Sequence, residues 1–373
     1  MAKLWHVLRQ SRFARDSTIL QAGSLMLAGL GLAGVLSLSH ILGAAKQGEF
    51  YLAIAVFTAL WFLLNLGVAS VATSRVASAT EEQDDHAVRE WLTFAVEATL
   101  LMGTVCALLC WWLVPDLLRW WLGAESEHAS RVATYATLLA LEPLIGIPRL
   151  IGQVAFQGQR RMASLTRMEN ASELGRVLLV VVGAFWTGSA LGAVVGQLLG
   201  AVVSCGFAVL YYQKERALRA GLPTLGSILG RVGRVRLAGR WGLGVRMGLV
   251  RNIDAYSVQV LPSLILDRYG STEWVAYLRI GQRIVGVLRL LMTGVGRTGV
   301  SALSQAGAHL DPRRLGRVYR QTTLLGGLCV ILSSLLMLPI LPWFLGRFLP
   351  SDYVDPVWTC VLILLPGMWV MGF

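Results

Sequence analysis

The sequence predicts an all-α, polytopic membrane protein of about ten transmembrane helices in two pseudo-repeated bundles, the second of them incomplete. Three observations predict it. Hydrophobic residues make up 55% of the 373 and charged residues only 14%, with a mean hydropathy of +0.62, which leaves too little polar surface for a soluble globule of this size. Apolar runs about 20 residues long recur along the chain, each able as a helix to cross roughly 30 Å of hydrocarbon. Finally, Lys and Arg fall on alternate connections, 22 on one side against five on the other. An excess of that size places the N-terminus and the longest connection in the cytoplasm.

The elements follow in order. Residues 1–16 form a basic amphipathic N-terminus, with Leu4, Trp5 and Leu8 interleaved with Lys3, Arg9, Arg12 and Arg15, as suits a segment resting on an anionic leaflet. Ser17–Leu42 is too long for the core of a signal peptide and is expected to remain as the first span. Spans at Phe50–Ala72, Trp91–Val114, Val132–Phe156, Ser172–Trp186 and Ala190–Tyr212 complete a first six-helix bundle over residues 17–212. Residues 213–246 carry eight basic side chains, Pro223 and no apolar run, which makes them a basic cytoplasmic linker. A second bundle over residues 247–373 has spans at Met247–Leu266, Trp274–Arg297, Thr322–Leu345 and from Pro356 onward.

Landmarks recur between the bundles at nearly constant offset: Glu49 with Glu273, Pro115 with Pro342, Pro143 with Pro366. Six spans per copy would relate the copies by an axis along the membrane normal. On that scheme the second bundle lacks two helices, and a truncated chain is expected. Gly188, Gly192, Gly196, Gly200 and Ser204 repeat every four residues and predict one face of close helix approach.

Several chemistries are excluded. All five cysteines lie in apolar runs, so neither a disulfide framework nor a metal site is expected, and no cofactor is implied. Gly29, Gly31 and Gly34, like Gly294, Gly296 and Gly299, match a dinucleotide fingerprint but follow no strand. The basic charge lies between apolar runs rather than among stacking aromatics, which argues against nucleic acid. No nucleophile, base and orienting acid assemble, so no enzyme is expected.

The functional signal is the ionisable residues inside the spans. Arg149, Arg176, Arg251, Arg279, Arg283 and Arg289 would cost roughly 18 kcal/mol facing lipid, at about 3 each, so they must face water or partners. Glu97, Glu142, Glu173 and Asp254 can pair with four at most. One reading is structural ion pairs and snorkelling at span ends. The other is a cationic cavity for an anionic group, since a guanidinium can donate two parallel hydrogen bonds to phosphate oxygens. Arg251, Arg279, Arg283, Arg149 and Arg176 are the candidate diphosphate ligands, and Asn65, Asn252, Gln259 and Gln282 the candidate polar lining. Glu142, Asp254 and Glu97 are candidates for ion coupling.

Ile41-Leu42-Gly43, Gly48-Glu49-Phe50-Tyr51, Leu64-Asn65-Leu66-Gly67-Val68 and Arg75 resemble the opening of polysaccharide-biosynthesis membrane proteins, the Wzx-type flippases of the multidrug/oligosaccharidyl-lipid/polysaccharide exporter superfamily. Phe156-Gln157-Gly158-Gln159-Arg160-Arg161, Asn252-Ile253-Asp254 and Ala276-Tyr277-Leu278-Arg279-Ile280 are similar to later parts of that family. The chain departs from it in having ten spans against twelve to fourteen, and in lacking a proline around Val300 to Leu303. The resemblance implies an alternating-access transporter carrying an undecaprenyl-diphosphate-linked oligosaccharide across a bacterial inner membrane. Membrane lipids and other polysaccharide-assembly membrane proteins would be its partners. A drug/cation antiporter of the same superfamily, a glycan polymerase or ligase, and a non-transporting scaffold are the rivals.

Overall fold

The computed structural model describes residues 12–65, 67–122, 127–218, 221–234, 252–253, 256–287 and 312–372. Every regular element among them is helical, and the chain is a polytopic all-α membrane protein. It divides into two compact units, one of Ile41–Val275 and one joining Met1–His40 to Ala276–Phe373.

The first helix, α1 (Arg12–Leu64), runs through both of the first two predicted spans. Only Gly43 interrupts it, at φ 71 and ψ 167, a conformation that glycine reaches without a Cβ clash. The expected seven-residue connection is thus a one-residue break. The predicted second span is itself cut near its end: α1 stops at Leu64, Gly67 takes φ 74, and α2 (Val68–Glu81) begins.

In the larger unit α3 (Asp85–Trp112) starts where the Asp84 carboxylate accepts the backbone N–H groups of His86 and Ala87, satisfying donors that the first turn leaves open. A short helix, α4 (Val114–Leu122), leads to α5 (Glu127–Leu139), α6 (Glu142–Ile145) and α7 (Ile147–Gly158). These three stand for the predicted fourth span, which bends by 47°. Pro143 and Pro148 each occupy the first turn of the helix after a break, where a missing N–H costs nothing.

Helices α8 (Met162–Thr187) and α9 (Ala190–Leu218) form the tightest pair. A Cβ added at Gly192 would lie 2.2 Å from the Gly183 carbonyl oxygen, and one at Gly196 would lie 2.2 Å from that of Leu179. The glycine face predicted from the four-residue repeat is therefore a packing face, and the Ser204 hydroxyl extends it by donating to Ser172 O at 3.1 Å. Gly188 is not part of it: with φ 57 it ends α8 and turns the chain into α9.

The described part of the linker is docked rather than free. The short helix α10 (Leu225–Leu229) buries Ile228 completely, Thr93 donates to the Ile228 carbonyl at 3.4 Å, and Tyr212 donates to that of Pro223 at 2.9 Å. Further on, a π-helical turn, Tyr256–Val260, precedes α11 (Leu261–Tyr269). The smaller unit holds residues 12–40 of α1, most of α12 (residues 272–287), α13 (Pro312–Phe348) and α14 (Ser351–Gly372).

Four described helices are long and apolar enough to cross a membrane, or five with the bent pair, against ten predicted spans. The difference has local causes. Gln21–Leu64 holds two predicted spans in one helix, and the fifth shares α8 with polar residues from Arg167 to Arg176. Arg279 and Arg283 lie in α12, and α11 is only 9 residues long.

Candidate functional site

Inside the larger unit four polar side chains from three helices form one chain. Gln197 on α9 donates to both carboxylate oxygens of Glu142, at 3.2 and 3.0 Å. Its amide oxygen accepts from Arg176 Nη1 at 2.8 Å. Arg176 completes the chain by gripping Glu173, one turn back on α8, with Nε at 2.9 Å and with Nη2. The glycine face makes this possible. A Cβ on Gly200 would lie 2.7 Å from the Arg176 Cα, and that closeness puts the side chain of Gln197, three residues earlier on α9, within reach of the guanidinium.

Two of the predicted residues, Glu142 and Arg176, are thereby brought together, each half-buried. Gln197, which joins them, is 6% exposed and did not stand out in the sequence. The one available signal was that it is the only amide amid the glycine repeat. One turn away on α7, Gln153 donates to Glu169 at 3.1 Å. Arg149, four residues before Gln153, keeps its Nε buried with no hydrogen-bond partner. An unspent buried donor of that kind costs roughly 1–3 kcal/mol.

A second pair of predicted residues meets at the break between α1 and α2. The Asn252 amide donates to the carbonyl oxygens of Phe62 at 2.6 Å and Asn65 at 2.9 Å. Those carbonyls lose helical partners because the chain leaves the helix at Asn65, so one amide closes an irregular end of the kind tolerated in membranes only inside protein. Gln259 is exposed, and its carbonyl accepts from the Ser263 hydroxyl at 2.9 Å.

Glu97 is 7% exposed. It accepts the backbone N–H of Gly233 at 2.6 Å, in the linker, where φ is 85. In the smaller unit Arg279 donates to Gln282 at 3.2 Å. Arg283 packs its guanidinium against the bare backbone of Gly31, where a Cβ would come within 3.1 Å of Nη1. Arg251 and Asp254 lie outside the described residues. Of the five candidate diphosphate ligands, Arg149 and Arg176 thus lie in the larger unit, and Arg279 and Arg283 lie on successive turns of α12 in the smaller.

The fold, a membrane-embedded helical bundle, is shared with transporters of known structure. A MATE transporter in complex with MaL6 is 15% identical and superimposes with a TM-score of 0.68 over 98% of this chain and 81% of its own. An inward-facing MATE transporter of the MOP superfamily gives 0.65 at 16% identity over 93% and 77%. A MOP-superfamily transporter from Pyrococcus furiosus, described as having a binding pocket of reverse polarity, gives 0.62 at 16% over 95% and 78%. At these identities the likeness is one of fold. No curated protein matches the chain. The model of the polysaccharide biosynthesis protein family matches residues 13–229, more than half of the chain, and the chain belongs to that family. It is a multi-pass membrane protein with the fold of those MOP-superfamily transporters.

Proposed function

We propose that this transporter is a flippase that moves an undecaprenyl-diphosphate-linked oligosaccharide across a bacterial inner membrane, its N-terminus and linker facing the cytoplasm. Family membership supports the substrate class. The observation that carries the reading is Arg149: a guanidinium in the larger unit whose Nε is buried and unspent, on a helix bent by prolines. A phosphate oxygen is the ligand group that best satisfies such a donor, because the bond is charge-assisted on both sides. Arg176 in the same unit, Arg279 and Arg283 in the smaller unit, and Arg251, outside the described residues, are the other diphosphate candidates, each taken by itself. Glu142 serves as the coupling carboxylate, held through Gln197 to Arg176.

The test is translocation of a fluorescent undecaprenyl-diphosphate oligosaccharide in proteoliposomes, read by quenching of the outer leaflet. Arg279→Ala and Arg149→Ala should each slow transfer by at least about tenfold, the equivalent of one lost charge-assisted bond, with normal insertion. Unchanged transfer in both variants defeats the diphosphate assignment. The second reading, a drug/cation antiporter, is favoured by the carboxylates Glu142, Glu169 and Glu173 within the same unit. Proton-driven efflux of a cationic dye, with no transfer of the lipid probe, would establish it instead.

A further inference from the structure

At the end of the larger unit opposite the docked linker, three separate segments converge on one histidine. The chain direction identifies that end. Helix α3 leaves the linker side at Asp85 and finishes at Trp112, and α5 starts back from Glu127. Lys46, just after the break in α1, donates to Gly188 O at the end of α8, at 2.8 Å. His128, in the first turn of α5, has Nδ1 3.3 Å from Glu49 Oε1 of α1 and Nε2 3.3 Å from Asp267 Oδ1 of α11. With a carboxylate on each ring nitrogen both nitrogens must donate, so the ring is an imidazolium.

The remaining groups complete the cluster. Thr272 donates to Asp267 Oδ1 at 2.7 Å and lies 3.2 Å from His128 Nε2. Arg131 holds Glu49 through Nη2 at 2.8 Å and Nε at 3.2 Å, and reaches Glu127 at 3.1 Å. The backbones touch as well: a Cβ at Gly48 would fall 2.0 Å from Thr272 O.

The balance of charges sets what this cluster can do. Asp267 has a side chain only 2% exposed and leaves its Oδ2 buried without a partner. Its charge is met by His128 alone among the described residues. Removing one partner of a buried pair costs several kcal/mol, whereas the intact pair contributes little net stability, because desolvation cancels most of the attraction. When the segments part and water enters, both charges are rehydrated at small net cost. A contact that is selective for one arrangement yet nearly neutral to break suits an element that opens and closes in every cycle.

We infer that His128, Glu49, Asp267 and Thr272 form a latch that holds this end of the transporter shut by tying α1 and α5 to α11, and that must part for the end to open. The inference rests on the transporter fold and deepens the proposed function by naming gate residues; it does not depend on the substrate.

The test uses the full chain in liposomes, its native cysteines replaced, with spin labels at Ser130 and Ser271, both exposed. His128→Ala and Asp267→Asn should raise the population of a longer label separation by roughly threefold or more, a shift in a two-state equilibrium. Glu49→Gln should act in the same direction. Thr272→Val, which removes one hydroxyl and keeps the fold safe, should raise that population about twofold. Distance distributions that stay at the unsubstituted shape in all folded variants, even with lowered thermal stability, show a mere staple and overturn the latch. The measurement needs no substrate, so failure of lipid transfer leaves it standing, and its own failure leaves transfer untouched.

Discussion

Gln197 shows how much rests on one neutral side chain. It spends its carbonyl on Arg176 and its amide on Glu142, so a charged acid and a charged base are joined without touching. Gln197→Leu keeps the volume close to native and removes all three hydrogen bonds, leaving two half-buried charges short of a partner. Each unsatisfied group costs about 1–3 kcal/mol, and thermal unfolding in detergent should fall accordingly, while Glu142→Gln, which preserves an acceptor, should cost less. An equal effect of the two substitutions would mean that Gln197 does not link Glu142 to Arg176. Arg176 was legible in the sequence as a buried charge in need of company, and Glu173 as its neighbour one turn back. The amide between Arg176 and Glu142 was not, because a single glutamine in an apolar helix has no signature until the partner 55 residues away is brought beside it.

At the scale of elements, glycine spacing had a direct structural consequence. The repeat from Gly192 to Gly200 specifies that α9 must lie against another backbone, and α8 is the helix that meets it. Two substitutions on α9 separate packing from propensity. Gly206 has no atom within 4 Å of a Cβ position, so Gly206→Ala should gain up to about 1 kcal/mol from helix propensity. Gly196→Ala gains the same term but drives a methyl to within 2.2 Å of Leu179 O. Overpacking of that kind costs about 1–3 kcal/mol, so the net change should be destabilising. Thermal denaturation of both variants side by side checks the opposite signs. The breaks in helices were less legible. Pro143 and Pro148 signalled a bend, whereas Gly43, in the predicted connection, gave no sign that helix would resume at once.

For the molecule as a whole, charge asymmetry makes the boldest expectation. With 22 Lys and Arg on one set of connections and five on the other, each exposed site should be reachable from one side only. A membrane-impermeant thiol reagent on intact cells should label Ser130→Cys and spare Lys214→Cys until the cells are opened. Labelling in the reverse order would invert the topology, and with it the face assigned to the His128 cluster. Glu97 belongs to this scale too. As a lone acid in an apolar helix it invites a role in coupling, yet its carboxylate receives the linker through Gly233, a residue 136 positions on. Gly233 has φ 85, so any other residue there is strained by about 1–2 kcal/mol.

The sequence by itself determined that this chain is helical and lies in a membrane, and its charge pattern set the expectation that the basic connections share one side. Those are properties of each segment against lipid and water, and hydropathy and charge report them without reference to any other segment. Only the tertiary structure decided which ionisable groups are spent on one another and which remain open. It paired Glu142 with Arg176 through Gln197, gave Glu97 to the linker, left Arg149 with a free donor and gathered Glu49, His128 and Asp267 at one end. Pairing is set by distances of a few ångströms between helices far apart in the chain, and no local pattern carries that information.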